Sequence, residues 1–158
     1  MEYHELIALS DRFHSRYRDP DALLDAVINA TLCALCVPAN LLGYRYLFLA
    51  VRYIRKTPQE KRLNMLRDIY PHVAEMTGTN PPMAERAMRY AISCAWKRAD
   101  PEVLYSYLGL RGRDLKNAPT NVEFLYLVAE RVRLITGDPE DEARFQRLME
   151  EAHKRFGS

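Results

Sequence analysis

The stretch that most constrains this chain is Thr77-Gly78-Thr79-Asn80-Pro81-Pro82. Two apolar periodicities flank it, and its residue types stop one helix and start the next. Before it, Ile69, Tyr70, Val73, Ala74 and Met76 recur at helical spacing up to Thr77. Gly78 can take positive φ and close that helix. Asn80 can cap a second one, and Pro81 suits its first position, where no N–H is needed. The second helix is expected over about 81–98. At roughly 100° per residue, Ala84, Ala87, Met88, Ala91, Cys94 and Ala95 fall on one side. Glu85, Arg86, Arg89, Ser93 and Lys97 fall on the other, with Tyr90 at the border. Small residues let the helix seat closely on the one before it. This is the pattern of a helix-turn-helix, whose second helix presents its polar face to a DNA major groove. Arginine there can grip guanine O6 and N7 with both guanidinium arms, and Glu85 can accept from cytosine N4. An ordinary amphipathic helix with a solvated polar face has the same spacing.

The 158 residues suffice for one domain with an appendage, and 28% charged residues fit a globular chain with a real core. No apolar run is long enough to cross a membrane, Ala30 to Leu35 being the nearest approach. The start Met1-Glu2-Tyr3-His4-Glu5 lacks the basic and apolar regions of a signal peptide, so a cytoplasmic location is expected. The net charge of +2 is unevenly spread. Residues 37–136 hold 16 basic against 9 acidic groups, whereas residues 1–36 are net −3 and residues 137–158 net −2. A basic middle between acidic ends suits a phosphate-facing domain with solvated flanks.

The rest of the chain reads as helices separated by Pro, Gly and Asn breaks, so the expected fold is all-α. Helices are expected over 3–18, 21–36 and 41–56. A fourth is expected from Thr57-Pro58-Gln59-Glu60 toward Arg67, continuing, bent at Pro71, into the helix-turn-helix. A short helix follows Asp100-Pro101-Glu102. Residues 108–117 form a basic loop with Arg111, Arg113 and Lys116 as phosphate candidates. The helix over 122–135 is expected to put Phe124, Leu125, Leu127, Val128, Val132 and Leu134 in the core. The last helix, to Phe156, carries Phe145, Leu148, Met149, Ala152 and Phe156 on one stripe. Asn80, Ser93, Lys97 and Asn121 complete the candidate DNA-backbone contacts beside the base-reading set Glu85, Arg86, Arg89 and Tyr90.

Four sequence blocks carry a family resemblance. They are Leu24-Asp25-Ala26; Val37-Pro38-Ala39 with Gly43-Tyr44-Arg45-Tyr46-Leu47; Tyr70-Pro71 and Ala74 with Glu85 to Ile92 and Ala95-Trp96; and Pro119-Thr120-Asn121 with Glu123-Phe124. In this order and spacing the chain resembles the C-terminal effector domain of the sporulation master response regulator, the stage-zero sporulation transcription factor of endospore-forming Firmicutes. The resemblance covers about Leu24 to Leu134. It implies an all-helical, sequence-specific regulator of transcription that binds short boxes of double-stranded DNA, often as tandem head-to-tail copies. By position, Glu85, Arg86 and Arg89 match the family's base-reading residues. This chain has Pro82-Met83-Ala84 where the family usually has Ser-Arg-Val, Tyr90 where it has His, and Cys36 where it has Gly. A phospho-accepting receiver domain precedes this region in the family. Only 23 helix-like residues precede Leu24 here, so either an excised effector domain or a stand-alone relative without a receiver is expected, Met1 and the extra helix after Asp138 favouring the second. The expected layout is a helical extension over 1–23, the effector domain over 24–136 and a second helical extension over 137–158. The two extensions serve as packing or dimer elements, or close the monomer's own core.

Other chemistry is weakly signalled. Cys33-Ala34-Leu35-Cys36 has redox or zinc spacing, but it lies near a helix C-terminus, which does not favour a thiolate. Both cysteines, like Cys94, are expected as small core residues. No metal, cofactor or small-molecule ligand is expected, and no nucleophile motif points to an enzyme. The competing functional class is a protein–protein interaction module that has lost DNA reading and acts on a related regulator.

Overall fold

The computed structural model describes residues 4–5, 19–109, 117–137 and 139–156, and the side chains of Tyr105 and of 139–146 fall outside it. The structure is all-α, with no strand among the described residues. The expected helix over 3–18 therefore lies almost wholly outside the described residues.

Helix α1 (Pro20–Ala34) begins where Asp19 accepts the Asp21 N–H at 3.0 Å, with Pro20 preset for the first turn. It closes through a paired C-terminal motif in which the Val37 N–H reaches Leu32 O and the Cys36 N–H reaches Cys33 O. Cys36 sits there at φ +62°, a conformation that glycine adopts readily and cysteine does not. Helix α2 (Leu42–Lys56) buries Tyr46, Leu47, Leu49, Ala50 and Val51 and leaves Leu42 in solvent.

The helix expected over 57–67 is not formed. Residues 57–64 make a turn and an extended segment. Asn64 then starts a five-residue π-helical turn, Met65–Ile69, by accepting the N–H groups of Leu66 and Arg67, each at 3.0 Å. Asp68 accepts the Asn64 N–H at 2.8 Å in return. The π turn runs into α3 (Tyr70–Thr77) with Pro71 in the first turn of the α-helix proper. A proline costs little there, because the α-helix has no use for that N–H.

Helix α4 (Pro81–Arg98), α5 (Pro101–Leu108), α6 (Asn121–Thr136) and α7 (Pro139–Phe156) follow. Asp100 caps α5, and Thr120 with Glu123 forms a reciprocal cap on α6. Helix α2 is the hub, packing on α1, α3, α4 and α6, while α6 also packs on α1. Phe124, Leu125, Val128 and Val132 of α6 enter the core as expected, and Leu127 is half-buried. Leu134 is 64% exposed, because at about 100° per residue it falls off the Phe124, Leu125, Val128 and Val132 stripe. Cys33 is also exposed, its Sγ 3.6 Å from Tyr44 Oη, and Cys36 and Cys94 are only half-buried. Of the three cysteines expected in the core, only Cys36 packs against it, and none is fully buried.

Candidate nucleic-acid interface

The turn between α3 and α4 is built as its residue types require. Gly78 takes φ +73° and ends α3, and the Thr79 N–H returns to Ala74 O at 3.1 Å. Asn80 accepts the Met83 N–H at 3.0 Å, so the first turn of α4 is held by a side-chain cap and two prolines. This fixes the start of the helix that carries the candidate reading face.

One face of α4 is committed to the interior. Ala84, Met88, Ala91, Ile92 and Ala95 are buried. The small residues serve a crossing with α2 as much as with α3. At Gly43 of α2 the two backbones approach so closely that a Cβ would collide with Ala87 O and stand 2.6 Å from the Ala91 Cβ. Glycine at 43 and alanines at 87 and 91 are thus one feature of packing.

The opposite face is open. Arg86, Arg89, Tyr90 and Lys97 are exposed, and Glu85 and Ser93 are half-buried. Arg89 Nε lies 3.5 Å from Glu85 Oε1, one turn earlier on the helix. Tyr90 hydrogen-bonds with the Cys94 thiol, which raises its phenol above the ordinary value. The structure thus gathers Glu85, Arg86, Arg89, Tyr90, Ser93 and Lys97 on one helix, with Asn80 at its start. Arg111, Arg113 and Lys116 lie outside the described residues.

Asn121, expected at the phosphates, has its side chain in the interior. It is 8% exposed. Its amide nitrogen donates to Tyr70 Oη at 3.0 Å and to Glu85 O at 3.1 Å. One side chain at the start of α6 thereby ties the start of α3 to the first turns of α4, behind the exposed face of that helix. Burial pushes the Tyr70 hydroxyl up, helped by Glu85 and opposed by the Asn121 bond and Arg89. Helical periodicity places Tyr70 in the core but gives no sign of this polar junction; the Pro119-Thr120-Asn121 block was its only trace in the sequence.

A family model described as the sporulation initiation factor Spo0A C terminal matches residues 28–132. The chain belongs to the Spo0A C-terminal family. This is a helical DNA-binding effector domain of a sporulation transcription factor. The Spo0A match begins at Ile28 and ends at Val132, and the buried apolar core among the described residues has the same first and last members. It contains the whole unit of α3, turn and α4, together with the Asn121 junction. Within this Spo0A-type domain, Met83 sits on the first turn of α4 and Cys36 holds the positive-φ position.

Proposed function

We propose that this chain is a sequence-specific DNA-binding regulator of transcription that reads the major groove with α4. The observation that carries the proposal is the division of α4. Its inner face is locked by the Gly43 crossing and the Asn121 junction, while Arg86, Arg89, Tyr90 and Lys97 stand in solvent. A rigid helix with an open basic face is what base reading requires, because the cost of ordering the reader is met in folding. Arg86 takes guanine through O6 and N7, and Arg89, steadied by Glu85, reads the adjoining step. Asn80, Ser93 and Lys97 lie beside the phosphates, and the basic residues Arg111, Arg113 and Lys116 add backbone contacts.

The test is a titration of the purified chain against a duplex with two tandem family-type boxes and against a scrambled duplex, each at two salt concentrations. Preference for the boxes that survives higher salt supports base reading. Weak, equal binding that salt abolishes is counterion-driven contact and overturns it. Replacing Arg86 by Ala is expected to cost about 1–3 kcal/mol and to relax preference at one base pair. Equal loss on every sequence would make Arg86 a phosphate contact instead.

The second reading, an interaction module that modulates a related regulator, draws on the apolar Met83 side chain exposed at the start of α4. Equal affinity for boxed and scrambled duplexes, together with binding to a related regulator, would favour it.

A further inference from the structure

The exposed face of α4 is not uniform in chemistry. At about 100° per residue, Arg86, Ser93 and Lys97 form its middle. Glu85 and Arg89 form one edge, and that edge is ion-paired. Met83 and Tyr90 form the other, two turns apart on nearly the same line. Met83 is 53% exposed and Tyr90 62% exposed. This edge is therefore apolar and faces water, on a helix whose true core residues are fully buried. The Asn80 cap fixes the Met83 backbone on the first turn.

The major groove has one apolar feature, the C5-methyl group of thymine. N-terminal residues of a recognition helix are the ones that meet base edges. An unbranched thioether on the first turn suits contact with a methyl, being flexible and polarisable. We infer that Met83, with Tyr90 two turns along the same edge, is a thymine-methyl reader, so that α4 reads hydrogen-bonding groups along its Glu85–Arg89 edge and methyl groups along its Met83–Tyr90 edge. The inference rests on the proposal that α4 enters the major groove, and it adds a specificity residue outside the polar set.

The test begins with selection of preferred duplexes from a random pool by the full chain. Each thymine of the selected duplex is then replaced singly by deoxyuridine, which removes the methyl and leaves base pairing intact. At one or two positions the replacement is expected to weaken binding about fourfold, the worth of one buried methyl. Binding by the Met83→Ala chain is expected to be indifferent to the same replacement, while Met83→Leu keeps the sensitivity. Because residue 83 is exposed and alanine favours helix, both variants are expected to keep the native circular dichroism. Selection of a clear site whose affinity ignores every methyl would overturn the inference and leave major-groove reading intact. Methyl sensitivity that persists unchanged in Met83→Ala would overturn it too, assigning the contact elsewhere. Failure to select any preferred sequence would overturn the base-reading proposal, and this inference with it.

Discussion

Cys36 shows what a single residue can cost a helix end. At φ +62° its Cβ is crowded in a way that glycine's backbone would not be, yet the two hydrogen bonds that close α1 demand that conformation. Cys36→Gly is expected to stabilise the fold by about 0.5–1 kcal/mol, read as a rise in the urea midpoint at unchanged slope. A fall would mean that the half-buried side chain packs better than its backbone suffers. His72 gives a second residue-scale expectation. It stacks on Tyr53 with ring centroids 3.9 Å apart. Burial holds its imidazole below the ordinary value, Glu75 opposing and Arg52 reinforcing. The fold therefore prefers the neutral ring, and the unfolded chain takes up the proton first. That contribution is whole above about pH 6.5, the unfolded value, and is lost as pH falls below it. The melting temperature should fall between pH 7.5 and 5.5, and fall less in His72→Phe, which keeps a stacking ring; parallel curves would remove His72 as a cause. Neither residue's role was legible in the sequence. A cysteine at positive φ has no compositional sign, and His72 stacks on a residue nineteen positions away.

At the scale of elements, the helix-turn-helix was legible because its signals are local. Gly78, Asn80 and Pro81 act on their own backbone, and the observed bounds Tyr70–Thr77 and Pro81–Arg98 follow them. The segment before it was not legible. Thr57-Pro58-Gln59-Glu60 has the residue types of a helix start, but Asn64 supplies the cap that the chain uses, with Asp68 returning the bond. Long-range contacts were equally hidden. Gly43 reads as a helix-weakening residue until α4 is placed on it. Gly43→Ala should therefore destabilise by about 3 kcal/mol by denaturant unfolding, since backbone atoms rather than a movable side chain stand in the way. A change near zero would show that α2 and α4 can part without cost. Asn121 was expected at phosphate from its place in a resemblance block, and burial assigns it inward. Asn121→Ala should cost about 1–3 kcal/mol of stability, removing the donor to the buried Tyr70 hydroxyl and leaving the Glu85 carbonyl with its helical bond alone. It should leave the slope of log affinity against log salt unchanged. A slope lower by about 0.9 would instead reveal a phosphate contact.

At the scale of the molecule, the buried core among the described residues runs from Ile28 to Val132, and α7 lies beyond it in sequence. The substantial helix packings among the described residues join α1 to α6, and none includes α7. Of its described apolar stripe, Leu148 is 55% and Phe156 87% exposed, while Met149 and Ala152 are half-buried. Of the two roles expected for this helix, closing the monomer's own core requires those side chains to be covered by the domain. Deleting residues 139–158 is therefore expected to leave the melting temperature within about 2 °C of the intact chain, since 1 kcal/mol shifts a domain of this size by roughly 2–4 °C or somewhat more. A larger drop would mean that the helix does close the core. Sedimentation of both chains over a range of concentrations decides the other role. A mass that rises with concentration only when α7 is present would make the stripe a contact between copies, where the cost of leaving Leu148 and Phe156 in water is recovered by burying them together. Equal masses, with equal melting temperatures, would show that this helix neither closes the domain nor pairs it.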